Sequence, residues 1–350
     1  MENNEFNTAT IPKQNAYWRS VPGFVISAVL LWLTFYQSGL QLKDIQLDGE
    51  QVYYFTAAVA VLVFSFWFYS IRAKLIWENG TQQNASIHTY DSFILGNFYN
   101  SILPGNLGEG VRAWHFSCKN NLSFTRSLAG IITEKWLDAQ MFVPMVMVFF
   151  MLKPFAAHFI FYALANTALA VLILSIVYFI MRRIPRLEKY LWRKVFYLGK
   201  AGKALYEIYA HTNHHLLNMK HTNRLLKYIL LFLLVVTLNG FQFFLLQKAA
   251  GIPAPVAGMY SSFLVSLCMM IIAFVPSAPG NIGVLHYGVY SAMLLAARQY
   301  GIATDSISLQ TYALFGVYVH LSYFIPEVLM GIVFVVKEKK FLFDAQGPST

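Results

Sequence analysis

The chain has 350 residues, of which 57% are hydrophobic, 17% aromatic and only 12% charged. A soluble protein carries about 25% charged residues to cover its surface, so this composition and a mean hydropathy of +0.51 exclude a pair of ordinary soluble domains. Twenty-six Lys and Arg against sixteen Asp and Glu leave a formal charge of +10, and its placement along the chain is informative. The two cysteines, Cys118 and Cys268, are too few for a disulfide scaffold or a cysteine metal cluster.

In chain order, residues 1–20 are polar and lack the basic n-region of a secretory signal. They read as a short cytoplasmic tail ending in an interfacial Trp18-Arg19 pair. Apolar runs of membrane-spanning length follow at about 21–40, 52–77, 128–152, 157–181, 226–247 and 306–336. Two further apolar segments, 86–104 and 256–300, are interrupted by Pro and Gly. Lys and Arg are sparse in the loops after the first span, around Lys153 and around Lys248. Eleven crowd into 182–227, against Glu188 and Glu207 alone. Arg72, Lys74, Arg112, Lys119, Arg126 and Lys337-Glu338-Lys339-Lys340 fall on that same side if both interrupted segments enter and leave by one face. The positive-inside rule then puts both termini in the cytoplasm, with the cell (plasma or inner) membrane as the expected location.

Pro104-Gly105-Asn106-Leu107-Gly108 recurs 175 residues later as Pro279-Gly280-Asn281-Ile282-Gly283, an offset of half the chain. The span at 52–77 maps onto 226–247, and 128–152 maps near 306–327. The expected fold is therefore an all-α polytopic membrane protein with six full spans plus two Pro-Gly-broken re-entrant hairpins in an inverted-topology repeat. Residues 21–338 form one transmembrane domain, with halves at about 52–152 and 226–336. Span 157–181 and the basic cytoplasmic segment 182–227 join the halves, and 339–350 is a cytoplasmic tail. A Pro-Gly break frees backbone groups that lipid cannot satisfy, so it must be buried in protein or line a wet cavity. Helix arms opening after each break present N–H groups suited to an anionic group such as a lipid phosphate.

The remaining charges are few. Glu109 and Arg112 are spaced to pair on one helical face. Glu134 and Asp138 share a face within the apolar run 128–152, with Lys135 about 100° around from Glu134. Ionisable groups within a span are costly and face a partner or a polar cavity; Arg112 and Arg126 are the candidate partners. His286 follows the second break, and His320 and Pro326-Glu327 lie in the last span as weaker candidates. The segment 182–227 suits a membrane surface, with Tyr190, Trp192, Phe196 and Tyr197 as anchors. Its basic residues would attract anionic headgroups at about 1 kcal/mol each; topology determination alone explains the same charge. His211, His214, His215 and His221 lack a carboxylate pattern for zinc.

Three motifs carry a resemblance: Asn100-x-x-Leu103-Pro104-Gly105-x-x-Gly108-Glu109-x-x-Arg112, then Glu134-Lys135-x-x-Asp138, then Pro276-x-x-Pro279-Gly280-x-x-Gly283-Val284. In this order they resemble the lysylphosphatidylglycerol synthase transmembrane region, also called the flippase-like domain family, over roughly 20–338. The resemblance implies a membrane domain that moves or handles lipids such as aminoacylated phosphatidylglycerol; some relatives are associated with polyprenyl- or dolichol-linked sugars. Members often carry an acidic residue where His286 stands. The chain ends at Thr350, leaving no room for a soluble aminoacyl-transferase domain, so lysyl-lipid synthesis by this chain alone is not expected.

The leading expectation is a lipid transporter binding a phospholipid or polyprenyl-linked headgroup at a midplane site between the hairpins. Its substrate-binding residues would be Asn100, Pro104, Gly105, Asn106, Gly108, Glu109, Arg112, Glu134, Lys135, Asp138, Pro279, Gly280, Asn281, Gly283 and His286. Arg112 and Lys135 would take the phosphate, and the carboxylates would balance them or meet a cationic headgroup. No catalytic residue, metal or cofactor is expected. The expected partners are anionic or lipid-linked membrane lipids, with a homo-oligomer left open and nucleic acid excluded. The alternatives are a membrane glycosyl- or phosphoryl-transferase using Glu134 or Asp138, for which no nucleotide-binding loop or Asp-x-Asp motif is present, and a scaffold recruiting partners through 182–227.

Overall fold

The computed structural model describes residues 16–45, 47–77, 88–104, 107–152, 159–219, 223–254, 256–272, 275, 277–303 and 305–344. Gly105, Asn106 and Pro276, which the sequence singles out, lie outside the described residues. Among those described, twelve α-helices and no strands occur: α1 Ala16–Ser38, α2 Glu50–Trp77, α3 His88–Ile102, α4 Gly108–Asn120, α5 Phe124–Leu152, α6 Phe159–Arg183, α7 Pro185–Phe196, α8 Lys200–Met219, α9 Arg224–Ala249, α10 Met259–Ile272, α11 Val284–Gln299 and α12 Ser306–Asp344.

Five helical segments among the described residues are long and apolar enough to cross a membrane: Val21–Ser38, Glu50–Trp77, Tyr162–Arg183, Arg224–Ala249 and Ile307–Lys337. Only 11% of Tyr162–Arg183 is buried within the protein. Leu169, Ile173, Leu174, Ile176, Val177 and Phe179 on that helix stay exposed, a contiguous apolar face that water would not tolerate and lipid would. The sixth expected span is α5, 29 residues long. It carries Arg126, Glu134, Lys135 and Asp138 in its first half and is not one of the five.

Helices α2 and α9 pack along each other at the centre. Around them, α3 pairs with α4, and α10 pairs with α11. The largest apolar core joins α5 and α6 with α9, α10, α11 and α12, through Phe142, Val146, Leu164, Phe243, Leu246, Leu264, Val289, Met293, Phe315 and Tyr318. The α3–α4 approach depends on absent side chains: a Cβ at Gly108 would sit 2.0 Å from the Gly96 carbonyl oxygen and 2.5 Å from Asn100 Oδ1.

The segment between α6 and α9 folds as two helices. Pro185 opens α7, where its missing N–H costs nothing, and Gly199 at φ 62° reverses the chain into α8. Trp192 packs against Tyr206 and Tyr209, and Phe196 against Tyr206. These aromatics, expected to anchor the segment at a membrane surface, fasten α7 to α8; Tyr190 and Tyr197 remain exposed. Helix α8 in turn docks on α5 and on the end of α2. There His215 is buried, with Nδ1 3.2 Å from the Ile76 carbonyl and its ring against Trp77.

Burial holds the His215 imidazole below its ordinary value, down to about 4, although its bond to Ile76 works in the opposite direction. The unfolded chain therefore takes up a proton that the docked helix refuses, and stability contributed at neutral pH is lost on acidification. Docking of α8 should weaken between pH 6.5, the ordinary value, and about 4. Hydrogen exchange across 200–219 should show this loss, and His215→Phe should flatten it.

Candidate functional site

The charged residues of α2, α4 and α5 converge into one ladder. On α5, Glu134 and Asp138 are one turn apart and project to the same side. Arg72 of α2 reaches both, its Nη2 donating to Asp138 Oδ2 at 2.9 Å and to Glu134 Oε1 at 3.4 Å. Arg112 of α4 donates to Glu134 Oε2 at 2.7 Å, with its other Nη 3.5 Å from Glu109. Glu109 closes the series with Lys135 Nζ at 2.7 Å. Tyr228 of α9 donates its hydroxyl to Asp138 Oδ1 at 2.8 Å.

Three cations alternate with three carboxylates, so the ladder is neutral as a whole. That neutrality is required by its position: Arg72, Arg112 and Glu134 are 2%, 5% and 3% exposed, and an unmatched charge there would cost several kcal/mol. Aromatic faces complete the enclosure. Tyr69, Tyr228 and Phe232 lie 5.1, 5.3 and 5.6 Å from the Arg72 guanidinium, and Phe93 lies 5.4 Å from that of Arg112.

The ladder ends at a cavity of about 310 Å³. Asn97, Asn100 and Ser101 of α3, Glu109 of α4 and Lys135 of α5 line it from the first half. Gly280 and Asn281, Leu285 of α11 and His320, Tyr323, Phe324 and Glu327 of α12 line it from the second, with Met269 of α10. The α3–α4 and α10–α11 junctions meet here, a Cβ at Gly280 lying 3.4 Å from the Ser101 carbonyl oxygen. Ser101 donates to Glu327 Oε2 at 2.5 Å, tying α3 to α12 across the cavity wall. Lys135 is the half-exposed member of the ladder, its side chain 47% accessible, and it lines the cavity. A second cavity of about 260 Å³ shares Lys135, Met269 and Tyr323 with the first and adds Tyr69, Arg72, Asp138, Phe232 and Asn239.

The chain between α10 and α11 is stapled by side chains, as a broken helix in an apolar setting requires. Ser27 Oγ of α1 accepts the Ala278 N–H at 2.8 Å, and Ser277 donates to Asn281 Oδ1 at 2.6 Å. His286 Nδ1 accepts the Gly283 N–H at 3.3 Å. Gly283 has φ 83°, and a Cβ there would fall 2.0 Å from the Ser27 carbonyl oxygen, so α1 approaches as closely as it does only because this position is glycine.

Of the residues expected to bind substrate, Asn100, Glu109, Lys135, Gly280 and Asn281 line the first cavity, and Asp138 lines the second. Arg112 and Glu134 stand behind the wall as buried ladder members. Gly108 is spent on the α3–α4 approach, and Gly283 and His286 on the second turn. Pro104 and Pro279 bound the two junctions without lining either cavity. Arg126, the other expected partner for the carboxylates, is outside the ladder; Arg72, which reads in sequence only as a charge ending a span, takes that place. Asn97 and Ser101 carry no sequence signal beyond being polar in an interrupted apolar segment.

Replacing Arg72 by Met would leave two buried carboxylates sharing one fewer cation, with an expected loss of about 3–5 kcal/mol. Adding Asp138→Asn should recover part of it. Unfolding midpoints in detergent test this, and an Arg72→Met protein as stable as the parent would show that the ladder does not hold these helices together.

No curated relative and no solved structure matches the chain. The family model Lysylphosphatidylglycerol synthase TM region matches residues 20–326. With that match spanning most of its length, and with five long apolar helices among its described residues, the chain is a multi-pass membrane protein belonging to the lysylphosphatidylglycerol synthase transmembrane-region family.

Proposed function

We propose that the cavity between the two helix junctions receives the polar headgroup of a membrane lipid, and that the protein carries that lipid between leaflets. The observation that carries this reading is the polar cavity itself. It lies inside a bundle whose outer faces are apolar, and groups from both halves of the chain line it.

Its chemistry suits a headgroup. Among the described residues Lys135 is the one Lys or Arg on the wall, and its partner Glu109 sits on the same wall. An incoming phosphate would take Lys135 from Glu109 and leave Glu109 to Arg112, a charge-assisted exchange whose added negative charge is balanced by a proton or by a cationic group of the same headgroup. Glu327, Asn97, Asn100, Asn281 and His320 offer acceptors and donors for the rest of the headgroup. Arg112, saturated by Glu134 and Glu109, holds the wall in place.

The same reading takes α2–α5 and α9–α12 as inverted halves, offset by the 175 residues that separate the Pro-Gly-Asn motifs. The pairs α3–α4 and α10–α11 are then re-entrant hairpins, and rocking of one half on the other opens the cavity to each leaflet in turn. Both termini are placed in the cytoplasm, since the excess of Lys and Arg over 182–227 favours that side.

Translocation of a fluorescent phospholipid in liposomes, followed by quenching from outside, tests the reading. Losing one charged hydrogen bond to the headgroup should slow transport by about 10–100-fold, so Lys135→Met and Glu327→Gln should fall in that range while eluting as folded protein. Normal rates in both would place the headgroup elsewhere.

A further inference from the structure

Between α5, α9 and α10 runs a groove of about 490 Å³, larger than either of the two cavities along the ladder. Its walls come from Met141, Pro144 and Val148 on one side and Phe232, Leu233 and Val236 on the other, with Phe263 and Leu267 behind. Thr237 is the polar residue in this lining, and its hydroxyl is bonded to the Leu233 carbonyl of its own helix at 2.8 Å. The groove is therefore hydrocarbon in character, and it opens on the outer face of the bundle, where Val148 and Leu233 are 55% and 49% exposed.

Phe232 and Val236 line both the groove and the second cavity, which holds Arg72, Asp138 and Lys135. Lys135, Met269 and Tyr323 in turn line both the second cavity and the first. The three spaces follow one another from apolar through mixed to polar, the order in which an amphiphile is built. Phe232 stands at the boundary, 3% exposed, with its ring 5.6 Å from the Arg72 guanidinium.

We infer that this groove is the lateral port through which the lipid enters the bundle, holding its hydrocarbon chain while the headgroup lies in the polar cavity, with Phe232 as the partition between them. The inference rests on the headgroup reading above and adds the side of entry and the class of chain-bearing substrate. A water-soluble headgroup would need no such groove, whereas a lipid drawn from a bilayer must keep its chain in an apolar contact throughout. Phe232 and Val236, which line both the groove and the ladder's cavity, form the wall between them and place that chain beside the headgroup.

The test fills the groove from its exposed rim. Leu233→Trp and Thr237→Trp are compared with Ile173→Trp, which adds the same bulk to the exposed face of α6, away from the groove. Two readouts are taken on each full-length variant: translocation of long-chain phosphatidylglycerol in liposomes, and binding of its deacylated headgroup, glycerophosphoglycerol, to detergent-solubilised protein. Loss of burial for two chain methylenes corresponds to about tenfold, so both groove variants should lose tenfold or more in translocation. They should bind glycerophosphoglycerol as the parent does, and Ile173→Trp should match the parent in both. Parent-like transport by both groove variants overturns the port and leaves the headgroup reading standing. Loss of headgroup binding together with transport also overturns it, because the groove would then be part of the cavity's packing. A parent protein that moves no phosphatidylglycerol and binds no glycerophosphoglycerol sinks the headgroup reading and the port with it.

Discussion

The rest of this bundle depends on the requirement that charge inside an apolar structure be cancelled where it stands. Glu134 and Asp138 cannot face lipid, and α5 cannot rotate them into water without exposing its apolar half. The chain meets the constraint with Arg72 and Arg112 from two other helices, each bridging carboxylates at 2.7–3.5 Å. A guanidinium suits this role because it stays charged, offers several donors in one plane and tolerates aromatic neighbours. The result locks α2, α4 and α5 together and, through Tyr228, adds α9. Helix–helix packing among apolar side chains alone would leave those helices free to slide, since lipid competes equally for apolar surface.

Locking the ladder also decides what the cavity presents. Because α4 is held by Arg112, Glu109 faces the junction, and because α5 is held by Glu134 and Asp138, Lys135 turns to the same place. Under the proposed function the buried members are positioning residues, and the exposed end meets the headgroup. Ser101 and Glu327 add a second tie across the cavity, made of one hydrogen bond rather than a network of ions. A wall that is rigid on one side and lightly fastened on the other suits a site that must open.

Much of this was legible in the residues and some was not. Apolar runs located the long helices to within a few residues, because membrane-spanning length is a one-dimensional property. The i, i+4 spacing of Glu134 and Asp138 and the i, i+3 spacing of Glu109 and Arg112 placed each pair on one face, as found. Arg72 was hidden by position: at the end of an apolar run, a basic residue serves topology equally well, and only the crossing of α2 over α5 separates the two roles. Trp192 and Phe196 are ambiguous for a related reason, since an aromatic on an amphipathic helix can face lipid or a neighbouring helix; here both rings touch α8, while Phe196 also stays 45% exposed. His286 follows the second break much as Glu109 follows the first, but it is spent on the turn's own backbone.

Under the proposed correspondence of the two halves, the charges are unequally shared. An offset of 175 carries Arg72 onto Gln247, Arg112 onto Tyr287, Lys135 onto Gln310 and Asp138 onto Ala313. Gln247 is as buried as Arg72 and also fastens a long helix, but to the turn that starts α10: its Oε1 accepts the Gly258 N–H at 2.9 Å, and its Nε2 donates to Ser262 at 3.2 Å. Gln242 and Ser322 join α9 to α12 by another neutral bond. One half is thus held by a buried ionic network whose loss of a single member leaves an unmatched charge, and the other by neutral hydrogen bonds that are weaker and more easily exchanged. Motion between the halves would therefore be absorbed in α10–α12, against a fixed frame of α2, α4, α5 and the α9 that Tyr228 ties to it. The ladder's neutrality would give that frame a second use under the proposed function: a charged headgroup would approach a wall of no net charge and exchange with Lys135 and Glu109 at its exposed end.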